Sequence, residues 1–430
     1  MDRRLQERYV KLMAAHLHMA TKLAAGVSPL PDGDGSMAAA TQAAWRFFNN
    51  ERVPLPALAE PLRQAGRDAA EATTASCMLL VHDWSTLAYG THASKQDRLQ
   101  LTHAHDIGYD LTTALLVRAD DGAPVAPMEM HLKTGAGVLS TRTPAPAAAH
   151  HLDQVLPTMQ AVAAWRLAKP VVHVIDREAD AVGHFRVWAT AGFHFLVRAD
   201  DRRVRWRGTS RLLTEIAGDW QATHAFRDVR KVEFHGRTAQ QQVAETEVIL
   251  DRPAKQRQGD RQVEVPGPPL PLRLVMTRVV DEDGTLLAEW FLLTNVPAAW
   301  ATAEQIALWY YWRWRIESFF KLLKSAGQEL EHWQQETGGA IARRLLVAAA
   351  ACVVVWQLER QHTPEAEELK HVLVQLSGRQ MEHGRLYTAP ALLAGLQVLL
   401  RMLALMQHHD LPSLTRLVAA TLPILHRDTG

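Results

Sequence analysis

The chain has 430 residues, of which 47 are Lys or Arg and 46 Asp or Glu, with a formal net charge of +1, 47% hydrophobic and 22% charged residues. That balance predicts a folded protein of two or three domains, excludes a disordered chain, and removes any case for nucleic-acid binding by a uniformly basic surface. The two cysteines, Cys77 and Cys352, have no pairing or CxxC spacing, which excludes a disulfide framework and a zinc knuckle.

Helical spacing covers 1–25, 37–50 and 54–73, with the Pro/Gly break GVSPLPDGDGS between the first two and Ser36 placed to cap the second. The N-terminal stretch lacks a continuous apolar core of the secretory kind, and no apolar run is long enough to span a bilayer, so the expectation is a cytoplasmic protein with no membrane partner. Arg3, Arg4, Arg8, Lys11, Trp45, Arg46 and Asn49 fall on exposed or half-exposed helix positions. They fit a small DNA-binding module or a helical cap equally well.

Beyond residue 75 the texture changes to strands at 77–83, 110–120 and 124–134, punctuated by Gly, Asp and Pro. A helix at 151–168, the short strand VVHVID at 171–176, a helix at 179–191 and FHFLVRAD at 193–200 follow. Three strands in succession, then helix and strand in alternation, predict a mixed α/β sheet covered by helices. From 201 to 289 the chain reads as charged and irregular, with short β-like runs, and resembles an insertion. Between Arg198 and Arg237 it carries ten Lys or Arg against six Asp or Glu, a plausible phosphate-facing surface or a merely solvated one. WFLLTN at 290–295 restores the strand texture, and one long helix from about Thr302 to His332 is expected after it. The apolar patch Leu345–Trp356 fits a buried helix, and helices near 389–408 and 411–425 close the chain.

Within ALWYYWRWRIESFFKLLK, Tyr310, Arg313, Glu317 and Lys324 stand at offsets 0, 3, 7 and 14. At about 100° per residue they share one helix face within roughly 60°. A second stripe, Trp309, Trp312, Ile316, Phe320 and Leu323, has the spacing of a helix packed on a sheet. Arg313 and Glu317 alone would pass for an ordinary i,i+4 surface pair. Two aspartates change the weighting: Asp83 closes CMLLVHD and Asp176 closes VVHVID, both at strand carboxyl ends, where such sheets bind ligands. Three carboxylates are hard oxygen ligands suited to Mg²⁺ or Mn²⁺, and two such ions support in-line displacement at phosphorus. Tyr310, Arg313 and Lys324 then serve as phosphate clamps. Asp180, the nearest rival to Asp176, is expected to pair with an arginine or cap a helix.

The run YWRWRIESFFKLLK reads Y-x2-R-x3-E-x6-K and resembles the signature of bacterial insertion-sequence DDE transposases with a YREK motif, the group that includes the transposon-five transposase. DREAD at 176–180 resembles that family's second-aspartate motif, and HDWSTLAYG, WRFFNN and FLVRAD extend the likeness. The resemblance implies a ribonuclease-H-like α/β fold with a β-rich insertion. It also implies two Mg²⁺ or Mn²⁺ ions per active site held by Asp83, Asp176 and Glu317, and DNA contacts from Tyr310, Arg313, Lys324, Arg198 and Arg46. Trp290 resembles the tryptophan that stacks on a flipped base, with Trp314 completing the pocket; as a residue of a strand it is equally suited to the core. The family's threonine pair after the first aspartate is replaced by Trp84, Ser85 and Thr86, and the C-terminal region is short. The organisation expected is a helical DNA-binding region at 1–74, a catalytic domain at 75–200 and 290–370 interrupted by 201–289, and a helical region at 371–430. The activity expected is cut-and-paste transposition at terminal inverted repeats into target DNA, through a hairpin and as a homodimer. A non-catalytic DNA-binding relative and a structure-selective nuclease are the rival readings.

Overall fold

Three helices open the chain in the computed structural model, α1 (Arg3–His18), α2 (Ser36–Phe48) and α3 (Leu55–Ala72). The structure describes residues 1–18, 36–145, 150–234, 236–258, 261–379 and 387–421, so the GVSPLPDGDGS break, the Ser36 side chain and the expected ends of the first and last helices lie outside the described residues. Tyr9 and Leu12 of α1 and Phe47 and Phe48 of α2 turn into the core, leaving Arg3, Arg4, Lys11, Trp45 and Arg46 on the solvent side.

The next elements are β1 (Met78–Ala88), β2 (Leu99–Gln100), β3 (Ile107–Arg118), β4 (Pro124–Thr134), β5 (Gly137–Ser140), α4 (Val155–Ala164), β6 (Val171–Ile175), α5 (Val182–Thr190) and β7 (His194–Ala199). β1, β6 and β7 run parallel, while β3 and β4 are antiparallel to their neighbours, in the spatial order β4-β3-β1-β6-β7. This is the mixed α/β arrangement that the strand–strand–strand, helix–strand order predicts, and it agrees with the ribonuclease-H-like fold that the resemblance implies. The helix expected at 151–168 is shorter, a 3-10 turn at His151–Gln154 leading into α4.

Residues 201–289 are more regular than their composition suggests. They form β8 (Arg203–Trp206), β9 (Thr209–Leu212), α6 (Leu213–Ala222), β10 (Arg227–Phe234), β11 (Arg237–Leu250), the hairpin β12 (Ala254–Gln258) and β13 (Arg261–Val265), and β14 (Leu270–Val280), leading to β15 (Leu286–Thr294). β15 pairs with β7, β14 with β15 and β11 with β14, so these strands prolong the central sheet, which has 13 strands among the described residues. Alternation explains it: Ala244, Val248 and Leu250 of β11 face the same apolar cluster as Leu272, Leu274 and Met276 of β14, while Glu245 and Glu247 between them point away from it, so charge interrupts the apolar pattern of β11.

The carboxyl half comprises α7 (Ala303–Tyr311), α8 (Trp314–Lys324), α9 (Gly338–Glu359), α10 (Pro364–Leu376), α11 (Ala389–Met406) and α12 (Leu411–Thr421). One apolar cluster joins β1, β3 and β4 to α3, α8 and α9; a second joins β6, β7, β14 and β15 to α5 and α6. α9 and α11 are each long and apolar enough by length and composition to cross a membrane, contrary to the expectation that no such run exists. The single-run criterion missed them because Arg343, Arg344 and Arg401 interrupt both, and α9 is a buried core helix.

Candidate active site

The two aspartates reach one place through strand register. β1 pairs with β6 in parallel up to Val81↔Val174, and two residues further Asp83 and Asp176 come level. Asp83 does not end its strand, as the sequence predicted, because the antiparallel ladder with β3 carries β1 on to Ala88↔Gly108. It marks instead the point where β6 stops and a cleft opens beside β1. Asp176 caps the 3-10 turn Arg177–Ala179, its Oδ1 accepting from the Arg177 amide at 2.6 Å. One residue beyond Ile175↔Val197, Arg198 stands beside Asp176. Asp180 is turned away, pairing with Arg202 and accepting from the Asp200 amide at 2.9 Å.

The single helix expected from Thr302 to His332 is broken. α7 starts on a Thr302–Gln305 capping box, and the chain tightens into three-residue hydrogen bonds in which the amides of Arg313, Arg315 and Ile316 donate to the carbonyls of Tyr310, Trp312 and Arg313 before α8 proceeds. The break lies where consecutive aromatics crowd the turn and the Trp312 ring packs on the β3–β4 turn: a Cβ on Gly122, whose φ is +70°, would lie 2.4 Å from it. Trp309, Trp312, Ile316, Phe320 and Leu323 are nonetheless all buried, as their spacing requires.

Arg313 is the hub of the site. Its Nη1 donates to Asp83 Oδ2 at 2.9 Å, its Nη2 to Glu317 Oε1 at 3.0 Å, and Nη2 lies 3.7 Å from Asp176 Oδ2. Tyr310 donates its hydroxyl to Asp176 Oδ1 at 2.9 Å. Lys324 donates to Ser85 Oγ at 3.2 Å and to the Thr86 carbonyl, and lies 3.2 Å from Glu331. Three carboxylates far apart in sequence thus meet on the guanidinium of Arg313, a residue only 7% exposed. Among the described residues, no three His, Cys, Asp or Glu side chains close directly around a point that would hold an ion.

Burial pushes the Asp83 and Glu317 carboxyls above their ordinary range, against the pull of Arg313. For Asp176 burial also acts upward, but the Arg177 amide, Arg313 and the Tyr310 hydroxyl together hold it below its ordinary value. Asp176 is therefore set apart from Asp83 and Glu317, its donors outweighing the burial that dominates at the other two.

Beside the carboxylates lies a cleft of about 730 Å³ bounded by β10, β11, β14 and β15 on one side and α7 and α8 on the other. Arg198, Trp290, Tyr310, Arg313 and Trp314, all singled out in the sequence, line it together with Arg230, Phe234 and Gln241, which were not. Trp290 is half-buried with Phe234 edge-on at 6.4 Å, and Trp314 is 56% exposed. Arg46 stands apart on α2, exposed. Of the basic segment 198–237, Arg202, Arg205, Arg211 and Arg227 are paired with acids, which reduces its net potential.

Among curated proteins no relative matches the chain. A family model described as a transposase DDE domain matches residues 81–354, a stretch that starts two residues before Asp83 and spans Asp176, Arg313 and Glu317. The chain belongs to the transposase DDE domain family.

Proposed function

We propose that this transposase excises and reinserts DNA by cut and paste, with Asp83, Asp176 and Glu317 as the ligands of two Mg²⁺ or Mn²⁺ ions. The observation that carries the reading is the convergence of these three side chains on Arg313 at the mouth of an arginine- and tryptophan-lined cleft. Three hard oxygen donors that already share one cation fit divalent ions of this kind. Bound there, the ions supply charge that activates an attacking oxygen and stabilises a leaving one. Arg313, freed from the carboxylates, grips a DNA phosphate in bidentate fashion, while Lys324 and Tyr310 contribute point charge and a hydroxyl donor.

Arg198 and the arginines of the cleft neutralise the backbone of transposon-end DNA. Trp290 offers a plate for a base extruded as a hairpin forms, worth about 1–3 kcal/mol of stacking, and Trp314 closes the pocket. Arg46 and Trp45 on α2 extend the DNA contact to the terminal inverted repeat. A homodimer on paired ends is supported by the exposed apolar residues Met402, Leu403 and Met406 of α11 and Leu411 and Leu417 of α12. This reading keeps the helical region at 1–74 for end recognition, 75–200 with 290–370 for catalysis, the strands of 201–289 as the wall of the cleft, and 371–430 for assembly.

Purified protein incubated with Mg²⁺ and labelled DNA from the ends flanking its gene should release the end, and Glu317→Ala should bind the same DNA without cutting it. Cleavage that survives Glu317→Ala refutes the proposal. Cutting without joining in a strand-transfer assay identifies a nuclease on the same fold, and DNA binding with no cutting by the wild type identifies a non-catalytic relative.

A further inference from the structure

Seven residues beyond Lys324 the chain comes back to β1. In the 3-10 turn Leu330–His332, Glu331 places Oε1 2.9 Å from the Ala88 amide and 3.2 Å from Lys324 Nζ. The same ammonium donates to Ser85 Oγ and to the Thr86 carbonyl. All three ammonium donors are thus directed to β1 or to a carboxylate that is itself tied to β1, five residues beyond Asp83 on that strand.

The return is built with some strain and several anchors. Glu329, which opens it, is a non-glycine residue with φ 52° and ψ 40°, a left-handed conformation that a side chain disfavours. It is held by the Tyr89 hydroxyl on the Leu330 carbonyl at 2.5 Å, Lys95 Nζ on the Trp333 carbonyl at 2.9 Å, and Trp333 Nε1 on the Gln328 carbonyl at 2.8 Å. The Gln328 side chain pairs with His16 at 2.7 Å, and Lys95, Trp333, Gln328 and His16 are all fully buried. A fully solvent-exposed ion pair is worth little, but the Lys324 and Glu331 side chains are only 23% and 29% exposed and the turn that carries Glu331 is held by this buried frame.

We infer that Glu331 is the positioning residue for Lys324, fixing its ammonium along the Asp83 strand before DNA arrives. The inference rests on the reading of Lys324 as a phosphate contact. A free lysine stem carries rotamer entropy, which ordering in the DNA-free protein removes from the reaction step. A carboxylate at that point weakens attraction to DNA, so its contribution is to geometry and rate and not to affinity.

The first test is amine labelling of the full-length protein, free of DNA and metal, read at Lys324 by mass spectrometry. Lys324 should label slowly in the wild type, several-fold faster in Glu331→Ala, and at the wild-type rate in Glu331→Gln, which keeps an oxygen acceptor for both donors. Equal labelling in Glu331→Ala and wild type overturns the inference. The second is a double-mutant cycle with Lys324→Ala on single-turnover end cleavage and DNA affinity. Glu331→Ala should cut about tenfold more slowly or worse, with DNA affinity unchanged or tighter. Glu331→Gln should recover most of the rate, and Glu331→Ala should add nothing in the Lys324→Ala background. A full rate loss persisting in that background overturns the inference. A wild type that cuts nothing refutes the transposition mechanism instead, and labelling still decides whether Glu331 holds Lys324.

Discussion

Replacing Arg313 by alanine removes the one cation on which three acidic side chains meet, and the structure sets the size of the effect. The Arg313 side chain is 8% exposed, that of Asp83 17%, Asp176 34% and Glu317 38%. Stripping one partner from a buried ion pair costs roughly 3–5 kcal/mol, and the partial solvation of Asp176 and Glu317 brings the expectation down to about 2–3 kcal/mol. Chemical denaturation at neutral pH in EDTA should show this as a lower midpoint for Arg313→Ala with an unchanged slope. Millimolar Mg²⁺ or Mn²⁺ should then raise the variant's midpoint by more than it raises the wild type's, since the ion replaces a missing cation in one case and competes with a guanidinium in the other. Adding Asp83→Asn to Arg313→Ala should recover part of the loss by reducing the repulsion. A midpoint for Arg313→Ala equal to wild type in EDTA, or one that divalent ions leave unmoved, refutes the electrostatic account of the site.

Gly122→Ala places a methyl group 2.4 Å from the Trp312 ring at a backbone φ of +70°. It should cost about 1–3 kcal/mol, read as a lower melting temperature, and slow DNA cleavage by displacing Arg313 next in sequence; full stability and activity would contradict the tight packing described. His16 is fully buried, and burial together with nearby Arg344 lowers its pKa to about 3. It is neutral when folded and gains a proton on unfolding once the pH falls below about 6.5, so its contribution is complete above that value and lost on acidification, amounting to about 2 kcal/mol at pH 5. Burial lowers His82 to about 4 and acts in the same direction. His16→Gln should flatten the stability profile between neutral pH and pH 5, and an unchanged slope would show that His16 is not the titrating group.

The parts of the site legible in the sequence were those that local pattern encodes. Apolar runs ending in an acid gave the two aspartates, and helical spacing gave the buried stripe from Trp309 to Leu323. The extent of β1 was misjudged because pairing with β3, a partner distant in sequence, carries it past Asp83 to Ala88. The helix break at Trp312 leaves no mark on the sequence because aromatic residues keep an apolar period through a 3-10 turn, and Gly122, against which the Trp312 ring packs, lies on another element. β11 was legible only in part, as the β-like run at 242–250, because Glu245 and Glu247 interrupt its apolar pattern, and the place of β14 beside it is set by pairing between segments distant in sequence. Arg230 and Phe234 enter the cleft only through the pairing of β10 with β11. Glu331 carried no local signal: it lies outside the Y-x2-R-x3-E-x6-K run, and its bond to Ala88 spans 243 residues.

The central claim is that Asp83, Asp176 and Glu317 are themselves metal ligands, and exchanging each in turn for cysteine tests it at the atom concerned. The resident thiols, Cys77 and Cys352, are buried and give little background. A thiolate is a poor ligand for Mg²⁺ and a better one for softer ions, so cleavage of end DNA by each cysteine variant should collapse in Mg²⁺ and return in part in Mn²⁺. A Glu317→Cys protein whose ratio of Mg²⁺ to Mn²⁺ activity matches that of the wild type would contradict the account.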